Sequence, residues 1–396
     1  MLPPFLQIDD FDYHLPDERI ARYPLAERDQ SKLLIYKHGE IYETLFYRLS
    51  EQLPAGTLLV RNNTKVIPVR LIYHKSTGAE IEIFCLNPVN PTRDIAQALQ
   101  MTEETIWEAM VGHQKKWAKG EILTFESGDA ILNAELVERG AVAKVRFFQE
   151  GHPYTFAELI NRLGQIPIPP YLHRPTESLD NERYQTVYAQ KEGSVAAPTA
   201  GLHFTDAVIQ QLRFKNINIA DLTLHVGAGT FKPVSESNAL NHTMHAEYFE
   251  VSAPTLEQMM DAFPNIVAVG TTSLRSLESL YWLGVRKMRR ESTDLLPQFY
   301  PYTQAEETLP HPTEVLEFLL KDDNLPVRAE TSLMIVPGYR FRFCKGLITN
   351  FHQPKSTLLL LIAAVVGNDW KDVYDYALTH DFRFLSYGDS SLLWCK

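Results

Sequence analysis

The sequence predicts an α/β core, a layered sheet with flanking helices, interrupted by an inserted all-β domain. Three observations carry this expectation. Strand-like and helical runs alternate at both ends of the chain, as in sheets covered by helices. Between about residues 66 and 148 the texture changes to short alternating runs, separated by Gly, Asn and Pro at hairpin intervals. At 396 residues the chain also exceeds what one small core organises. The expected division is residues 1–65 with 151–396 for the α/β core, and 66–150 for the inserted β domain.

In chain order, DYHLPDERIARYPLAERDQSKLLIY reads as a short amphipathic helix over 16–22, a Pro-bounded turn and the strand KLLIY. TLLVRNN is a second strand ending in polar Asn62, Asn63 and Thr64. VIPVRLIY, AEIEIFCL, EILTFE, AELVERG and VAKVRFF supply the strands of the inserted domain, a small barrel or sandwich. PTRDIAQALQMTEETIW interrupts them with helical composition and is read as a helix-bearing insertion. YTFAELINRLG is an amphipathic helix closed by Gly164, and QIPIPPYLHRP is proline-stiffened. The helix FTDAVIQQLRFKN and the strand INIADLTLHV follow. Next come the helix TLEQMMDAFPN, the buried strand NIVAVG and the helix LRSLESLYWLG. The polar, Pro-containing stretch 286–312 reads as a surface excursion. SLMIVPG and GLITNF are expected strands, and STLLLLIAAVVG a buried helix.

Composition bounds the function. A 45% apolar and 22% charged chain is that of an ordinary globular protein, and the formal charge of −11 sets it apart from general polyanion binders. Cys85, Cys344 and Cys395 stand alone, which argues against a zinc knuckle or a disulfide framework. The apolar run after Thr357 is about half of a bilayer span, and the N-terminus has no signal-peptide pattern. A cytoplasmic location is expected.

Several phrases could carry chemistry. In NIVAVGTTSLRSLESL, Gly270 permits a tight turn, while Thr271, Thr272 and Ser273 offer hydroxyls and N–H groups at a helix start. A helix cap is the plainer reading. VGAGTF, with Gly227, Gly229 and Thr230, follows a strand, so backbone could approach a nucleoside closely; it lacks nucleotide-fingerprint spacing, and His225 beside it could equally be packed. Gly201 and His203 in PTAGLHF carry the same two readings. NHTMHAEYFEV gathers His242, His245 and Glu247 without metalloprotease spacing, which favours acid–base work by His245 or Glu247 over a metal. Asn350 and His352 end a strand in LITNFHQPKST, and Gly388 and Asp389 close FLSYGDSS. HQKKWAK, RKMRR and RFRFCK are basic clusters, two of them interleaved with aromatics in a manner compatible with nucleic-acid contact.

Together these phrases resemble one family, the S-adenosylmethionine:tRNA ribosyltransferase-isomerases of queuosine biosynthesis. DYHLPDERIARYPLAERDQSKLL, NNTKVIPVRL, PIPPYLHRP, RYQTVYAQKEGSVAAPTAGLHFT, TLHVGAGTFKPV, MHAEYFEV, VAVGTTSLRSLES, PGYRFRF, LITNFHQPKSTLL and FLSYGD occur in the family's order. The resemblance implies an α/β core with an inserted β-barrel and an unusual transfer. S-adenosylmethionine (AdoMet) would give its ribosyl moiety to 7-aminomethyl-7-deazaguanine in the tRNA wobble position, yielding epoxyqueuosine-tRNA, adenine and methionine. AdoMet is then a co-substrate; no cofactor and no metal are expected, and a monomer with no membrane partner is.

On this reading His225, His245 and Glu247 are the proton-transfer candidates. Asn62, Asn63, Thr64, Arg70, Gly201, His203, Gly227, Gly229, Thr230, Thr271, Thr272, Ser273, Asn350, His352, Gly388 and Asp389 are expected to bind substrate. The chain departs from the family's pattern at Arg61, Gln353, Ser390 and Ser391, in VGHQKK near 111–116, and in extra stretches at about 91–106 and 286–325. A catalytically silent tRNA-binding paralogue and an enzyme acting on a free deazapurine are the alternatives.

Overall fold

The computed structural model describes residues 2, 4–151, 154–227 and 236–396. Two large sheets organise it. The first unit opens with β1 (Lys32–Lys37), β2 (Glu40–Leu45), the short helix α1 (Leu49–Gln52), β3 (Leu58–Asn62) and β4 (Thr64–Val66). Six strands then form an antiparallel sheet of their own: β5 (Arg70–His74), β6 (Glu80–Asn90), β7 (Glu104–Gly112), β8 (Ile122–Ser127), β9 (Ala130–Glu138) and β10 (Ala143–Phe148), ordered β5-β6-β7-β10-β9-β8. The short α2 (Ile95–Leu99) lies between β6 and β7. Tyr73 of β5 meets Phe125 of β8 edge to face at 5.7 Å between ring centres, so the end strands nearly close a barrel.

Its interior follows the two-residue period of strands. Ile81, Ile83 and Cys85 from β6, Leu132, Ala134 and Leu136 from β9, and Val145 and Phe147 from β10 all point inward. The helix α3 (Phe156–Leu163) adds Phe156, Leu159 and Ile160 to that core, started by a capping box between Thr155 and Glu158.

The remaining chain builds on the first unit. It carries α4 (Asp180–Arg183), β11 (Lys191–Ser194), α5 (Asp206–Phe214), β12 (Asn218–Leu224), β13 (Glu247–Val251), α6 (Ala253–Ala262) and β14 (Ile266–Val269). It ends with α7 (Thr271–Met288), β15 (Leu295–Leu296), α8 (Pro312–Leu320), β16 (Val327–Thr331), β17 (Cys344–Asn350), α9 (Thr357–Val366), α10 (Trp370–Thr379) and β18 (Ser390–Trp394). The ten-stranded mixed sheet has the order β15-β16-β13-β12-β3-β14-β17-β18-β1-β2.

Both faces of this sheet are covered, which explains runs such as KLLIY. Leu34 and Tyr36 enter the core beneath α7 to α10, whereas Leu33 and Ile35 enter the one beneath α5. The α/β core and the inserted barrel are thus both present.

Several local expectations are corrected. Residues 16–22 hold only a 3-10 turn at Asp17–Arg19, because Pro16 and Pro24 leave too few residues for a stable helix. The helix-bearing insertion is five residues long, and ETIW begins β7, where Trp107 is buried. The strand expected at SLMIVPG lies earlier, at Val327–Thr331; Leu333 to Val336 are buried without ladder pairing. The helix expected to end at Gly284 continues to Met288. The stretch 286–312 is no free excursion: it adds β15 to the sheet edge and packs Phe299, Tyr300 and Tyr302 against the core.

Candidate active site

The sheet brings distant phrases to one edge. β12, β3, β14 and β17 are adjacent and parallel, so their C-terminal ends, at Leu224, Asn62, Val269 and Asn350, lie side by side. β18 runs antiparallel to β17 and starts there, as β13 starts beside the end of β12. Strand C-termini in such sheets are where ligands gather.

A cleft opens at this edge, with an empty volume of ≈ 900 Å³, mouth included. Its wall combines Ala196–Ala200, the head of α7, residues 349–353, the start of α9 and Leu385–Ser386. Among the described residues, none that lines it is Asp, Glu, Lys or Arg. Polar character comes from hydroxyls, amides and one imidazole.

Of the expected substrate-binding residues, Thr271, Thr272, Asn350 and His352 line the cleft, with Gly270 beside them. Gly270 has φ 92°, a conformation that favours glycine, and it turns β14 into α7 with no side-chain cap. Neither Thr272 nor Ser273 caps the helix. The α7 N-terminus therefore presents backbone N–H groups and the Thr271 and Thr272 side chains to the cleft. Ser273 is buried beneath, its Oγ without a partner among the described residues.

Asn350 is 2% exposed; its Nδ2 lies 3.1 Å from Nε2 of His203, and its Oδ1 has no partner among the described residues. With the amide nitrogen turned to the ring, Nε2 accepts and Nδ1–H is left to donate to Ser31 Oγ at 2.8 Å. His352 Nε2 faces Thr349 Oγ1 at 2.9 Å, and its backbone N–H donates to Tyr374 Oη at 3.1 Å. Burial pulls both imidazoles down to about 3, so both are neutral near pH 7. Across the cleft Tyr171 bonds Ser386 at 2.5 Å, and burial pushes its phenol up to about 12.

The remaining expected residues sit elsewhere. His203 lies behind Asn350 and lines a smaller neighbouring cavity. Gly201 packs on Tyr188, whose Oη would lie 2.0 Å from an added Cβ. Asn62 spends its amide on Thr64 N and on Leu224 N and O, fastening β3 to β12, and Asn63 Oδ1 accepts from Thr223. Thr64 Oγ1 is 3.3 Å from Lys191 O and 3.4 Å from His225 Nδ1. Arg70 is an exception to the grouping: it pairs with Glu82 in the barrel at 2.6 Å. Asp389 accepts from Lys32 N at 3.0 Å and Arg383 N at 2.7 Å, holding the 383–389 loop to β1. An added Cβ on Gly388 would lie 2.5 Å from Arg383 O, so only glycine closes that loop. Gly388 and Asp389 therefore position Leu385 and Ser386 rather than line the cleft. Gly229 and Thr230 lie outside the described residues.

None of the three proton-transfer candidates is among the residues that line the cleft, although Val226, next to His225, is. His225 stacks on Tyr248 at 6.5 Å, and burial lowers its pKa. Glu247 is 9% exposed, accepts from Gly227 N at 3.4 Å and is ion-paired with Arg275 of α7. Burial pulls the Arg275 guanidinium down to about 10, and the neighbouring carboxylate opposes that pull. His245 is exposed, two residues before Glu247. Sequence reasoning missed Arg275, Tyr171 and Ser386. Arg275, one helical turn beyond Thr271, had a usable signal in that spacing. Among the described residues, no group of three or more His, Cys, Asp and Glu side chains is arranged to hold a metal ion.

A family model described as "Queuosine biosynthesis protein" matches residues 8–393. The chain belongs to that family. It is 38% identical over 396 residues to the S-adenosylmethionine:tRNA ribosyltransferase-isomerase of Halothermothrix orenii, covering 98% of this chain and 100% of the relative. The protein of the same name from Legionella pneumophila strain Paris is 39% identical over 391 residues, 97% of this chain and 98% of its own. A crystal structure of S-adenosylmethionine tRNA ribosyltransferase from Thermotoga maritima is similar at 27% identity, covering 97% of this chain and 99% of that one, with a TM-score of 0.45.

Of this family member's departures, only Gln353 lines the cleft. Arg61 lies over the Tyr188 ring at 3.7 Å and pairs with Asp221 at 2.7 Å, while Ser390 and Ser391 turn back on Thr349 O. Part of each basic cluster is engaged within the chain. Arg342 is bidentate to Glu306 at 2.6 and 2.7 Å, Lys287 pairs with Asp322, and Arg289 bonds Gln304 at 2.7 Å. Trp117 of HQKKWAK is a core residue whose indole donates to Glu121 O at 3.0 Å, so it is no stacking platform. No helix among the described residues is long and apolar enough to cross a membrane.

Proposed function

We propose that this chain transfers and isomerises the ribosyl moiety of AdoMet onto 7-aminomethyl-7-deazaguanine at the tRNA wobble position, releasing adenine and methionine and leaving epoxyqueuosine-tRNA. It would act as a monomer. The observation that carries this reading is a cleft at the strand ends that offers, among the described residues, hydroxyls, an amide oxygen left without a protein partner and a neutral imidazole, but no charged side chain.

Such a wall suits a sulfonium substrate. A carboxylate beside the sulfonium would be a nucleophile, and a lysine would repel it. The Tyr171 and Tyr184 rings offer it aromatic surface. Abstraction of the acidified proton next to sulfur needs a neutral base, and departure of adenine needs a proton donor. His225, neutral through burial, is assigned the first role and His245 the second, with Glu247 and Arg275 anchoring Gly227 between them. Asn350 and His352 would orient ribose or base, and the α7 N-terminus the ribosyl hydroxyls.

The test is incubation with AdoMet and tRNA carrying the aminomethyl-deazaguanine, following adenine and methionine by chromatography. Stoichiometric release of both, dependent on that tRNA, is the expected result. Release with free aminomethyl-deazaguanine alone moves the acceptor to a free base, and binding without release makes the chain a silent binder; either outcome refutes the proposal.

A further inference from the structure

AdoMet carries a carboxylate, yet among the described residues no cation lines the cleft assigned to it. The missing countercharge lies next door. A second cavity, with an empty volume of ≈ 290 Å³, mouth included, shares Ser386 with the cleft wall. It is linked to the cleft again through the Asn350–His203 contact, one partner lining each space. Arg28, Arg183 and Arg383 line it, and no carboxylate among the described residues does.

These guanidiniums are held mainly by neutral carbonyls. Arg28 donates to Gln185 O at 2.6 Å and Glu182 O at 3.0 Å, and Arg183 to Leu25 O at 2.6 Å and Ala26 O at 3.1 Å. Arg183 Nε is buried without a partner among the described residues. Arg383 reaches Tyr23 O at 3.4 Å and Asp389 Oδ1 at 3.5 Å, and both Asp389 oxygens already accept backbone N–H groups. The exposed Glu182 is the acid facing Arg28; Asp180, bonded to Tyr387, is neutralised by Arg174. Mutual repulsion is felt inside the cavity: burial first and then Arg183 lower the pKa of Arg28, and Arg383 and Arg28 add to the burial that keeps His203 neutral. Three partly buried cations with one buried carboxylate, Asp389, and one exposed one, Glu182, between them are incompletely compensated, and an oxyanion would relieve that cost.

We propose that this three-arginine cavity is an oxyanion subsite for the α-carboxylate of the methionyl arm of AdoMet, entered past Ser386. The assignment rests on the proposed function and specifies how that site orients its donor. The cavity is small enough for one oxyanion group and too small for a nucleotide. Seating the carboxylate there would leave the sulfonium on the uncharged wall, with the ribosyl group toward α7. A tRNA phosphate is the other oxyanion that the substrate pair supplies. The cleft favours the carboxylate, because its own wall provides no counterion among the described residues.

Calorimetric titration of the full chain with AdoMet and with decarboxylated AdoMet tests the idea. The native protein should bind the decarboxylated compound roughly 10- to 100-fold more weakly, the span expected for a charge-assisted pair. Arg383→Gln removes the guanidinium whose contacts are the longest of the three, 3.4 and 3.5 Å, and should collapse that ratio toward one, while Arg383→Lys restores part of it. Equal binding of both compounds by the native protein would overturn the subsite and leave the activity standing. So would undiminished discrimination by a folded Arg383→Gln, and that measurement needs only a thermal melt as its control. Loss of tRNA affinity with AdoMet discrimination intact would reassign the arginines to a phosphate and overturn the carboxylate assignment. Absence of any AdoMet binding sinks the subsite together with the proposed activity.

Discussion

Asn350 joins structure to chemistry through the two ends of one amide. Its nitrogen meets His203, and its oxygen, without a protein partner among the described residues, belongs to the cleft wall. Replacing Asn350 with Ala should lower kcat/KM for adenine release roughly 10- to 100-fold and cost about 1–3 kcal/mol of stability, because His203 Nε2 is left buried without a donor. Wild-type turnover with a normal denaturation midpoint would contradict this. His203 and His352 also set a pH signature. Their pKa values of about 3 lie well below the ordinary 6.5, so unfolding takes up protons between those limits. Stability should hold above about pH 6.5 and fall as the pH drops toward 3, by at most about 1.4 kcal/mol per unit for each histidine. Urea melts from pH 7.5 to 4.5 would show it, and His203→Gln should flatten the slope. A depressed His225 likewise places the acidic limb of the rate profile below pH 6.5.

At the level of elements, α7 matters twice. Its first turn faces the cleft, and two turns later the fully buried Glu278 accepts from Arg342 N at 2.8 Å, from Phe343 N and Cys344 N at 3.0 Å, and from Tyr339 Oη at 2.9 Å. One carboxylate thus fixes the start of β17, whose far end presents Asn350. Glu278→Ala would strand three backbone N–H groups and should cost about 3 kcal/mol or more, read as a lower urea midpoint at unchanged slope. The 383–389 loop behaves differently. Gly388→Ala must push its new Cβ into the Arg383 carbonyl and displace Leu385–Ser386. Both the melting temperature and kcat/KM should fall, whereas a purely structural role would lower only the first.

For the whole molecule the question is how a chain of net charge −11 meets a polyanion. Several cations of two of the three basic clusters are engaged by neighbouring groups, Arg286 with Glu291, Lys287 with Asp322, Arg289 with Gln304 and Arg342 with Glu306, while Arg290, Arg340 and Lys345 are exposed. The cations of the third, Lys115, Lys116 and Lys119 on the barrel, are exposed. Lys115→Glu with Lys119→Glu should therefore raise the tRNA KM and reduce its log–log salt slope by about 1 for each phosphate no longer neutralised, with the AdoMet KM unchanged. An unaltered tRNA KM at about 50 mM salt would remove the barrel from the tRNA footprint.

By itself the sequence determined the two-part architecture and most strand and helix phrases of the core, and it singled out Thr271, Thr272, Asn350 and His352, which line the cleft. Those properties are local: periodicity, glycine punctuation and polar groups at strand ends are written in a few adjacent residues. Only the tertiary structure decided which of the remaining polar residues face the cleft. Parallel pairing of β12, β3, β14 and β17 sets four chain segments on one edge, and their side chains then divide between the cleft and each other. Asn62 and Asp389 spend their hydrogen bonds on backbone, His203 turns behind Asn350, and the three arginines converge from positions 28, 183 and 383. No spacing along the chain encodes that convergence. Strand register and burial create it, by bringing cations far apart in sequence around one small space.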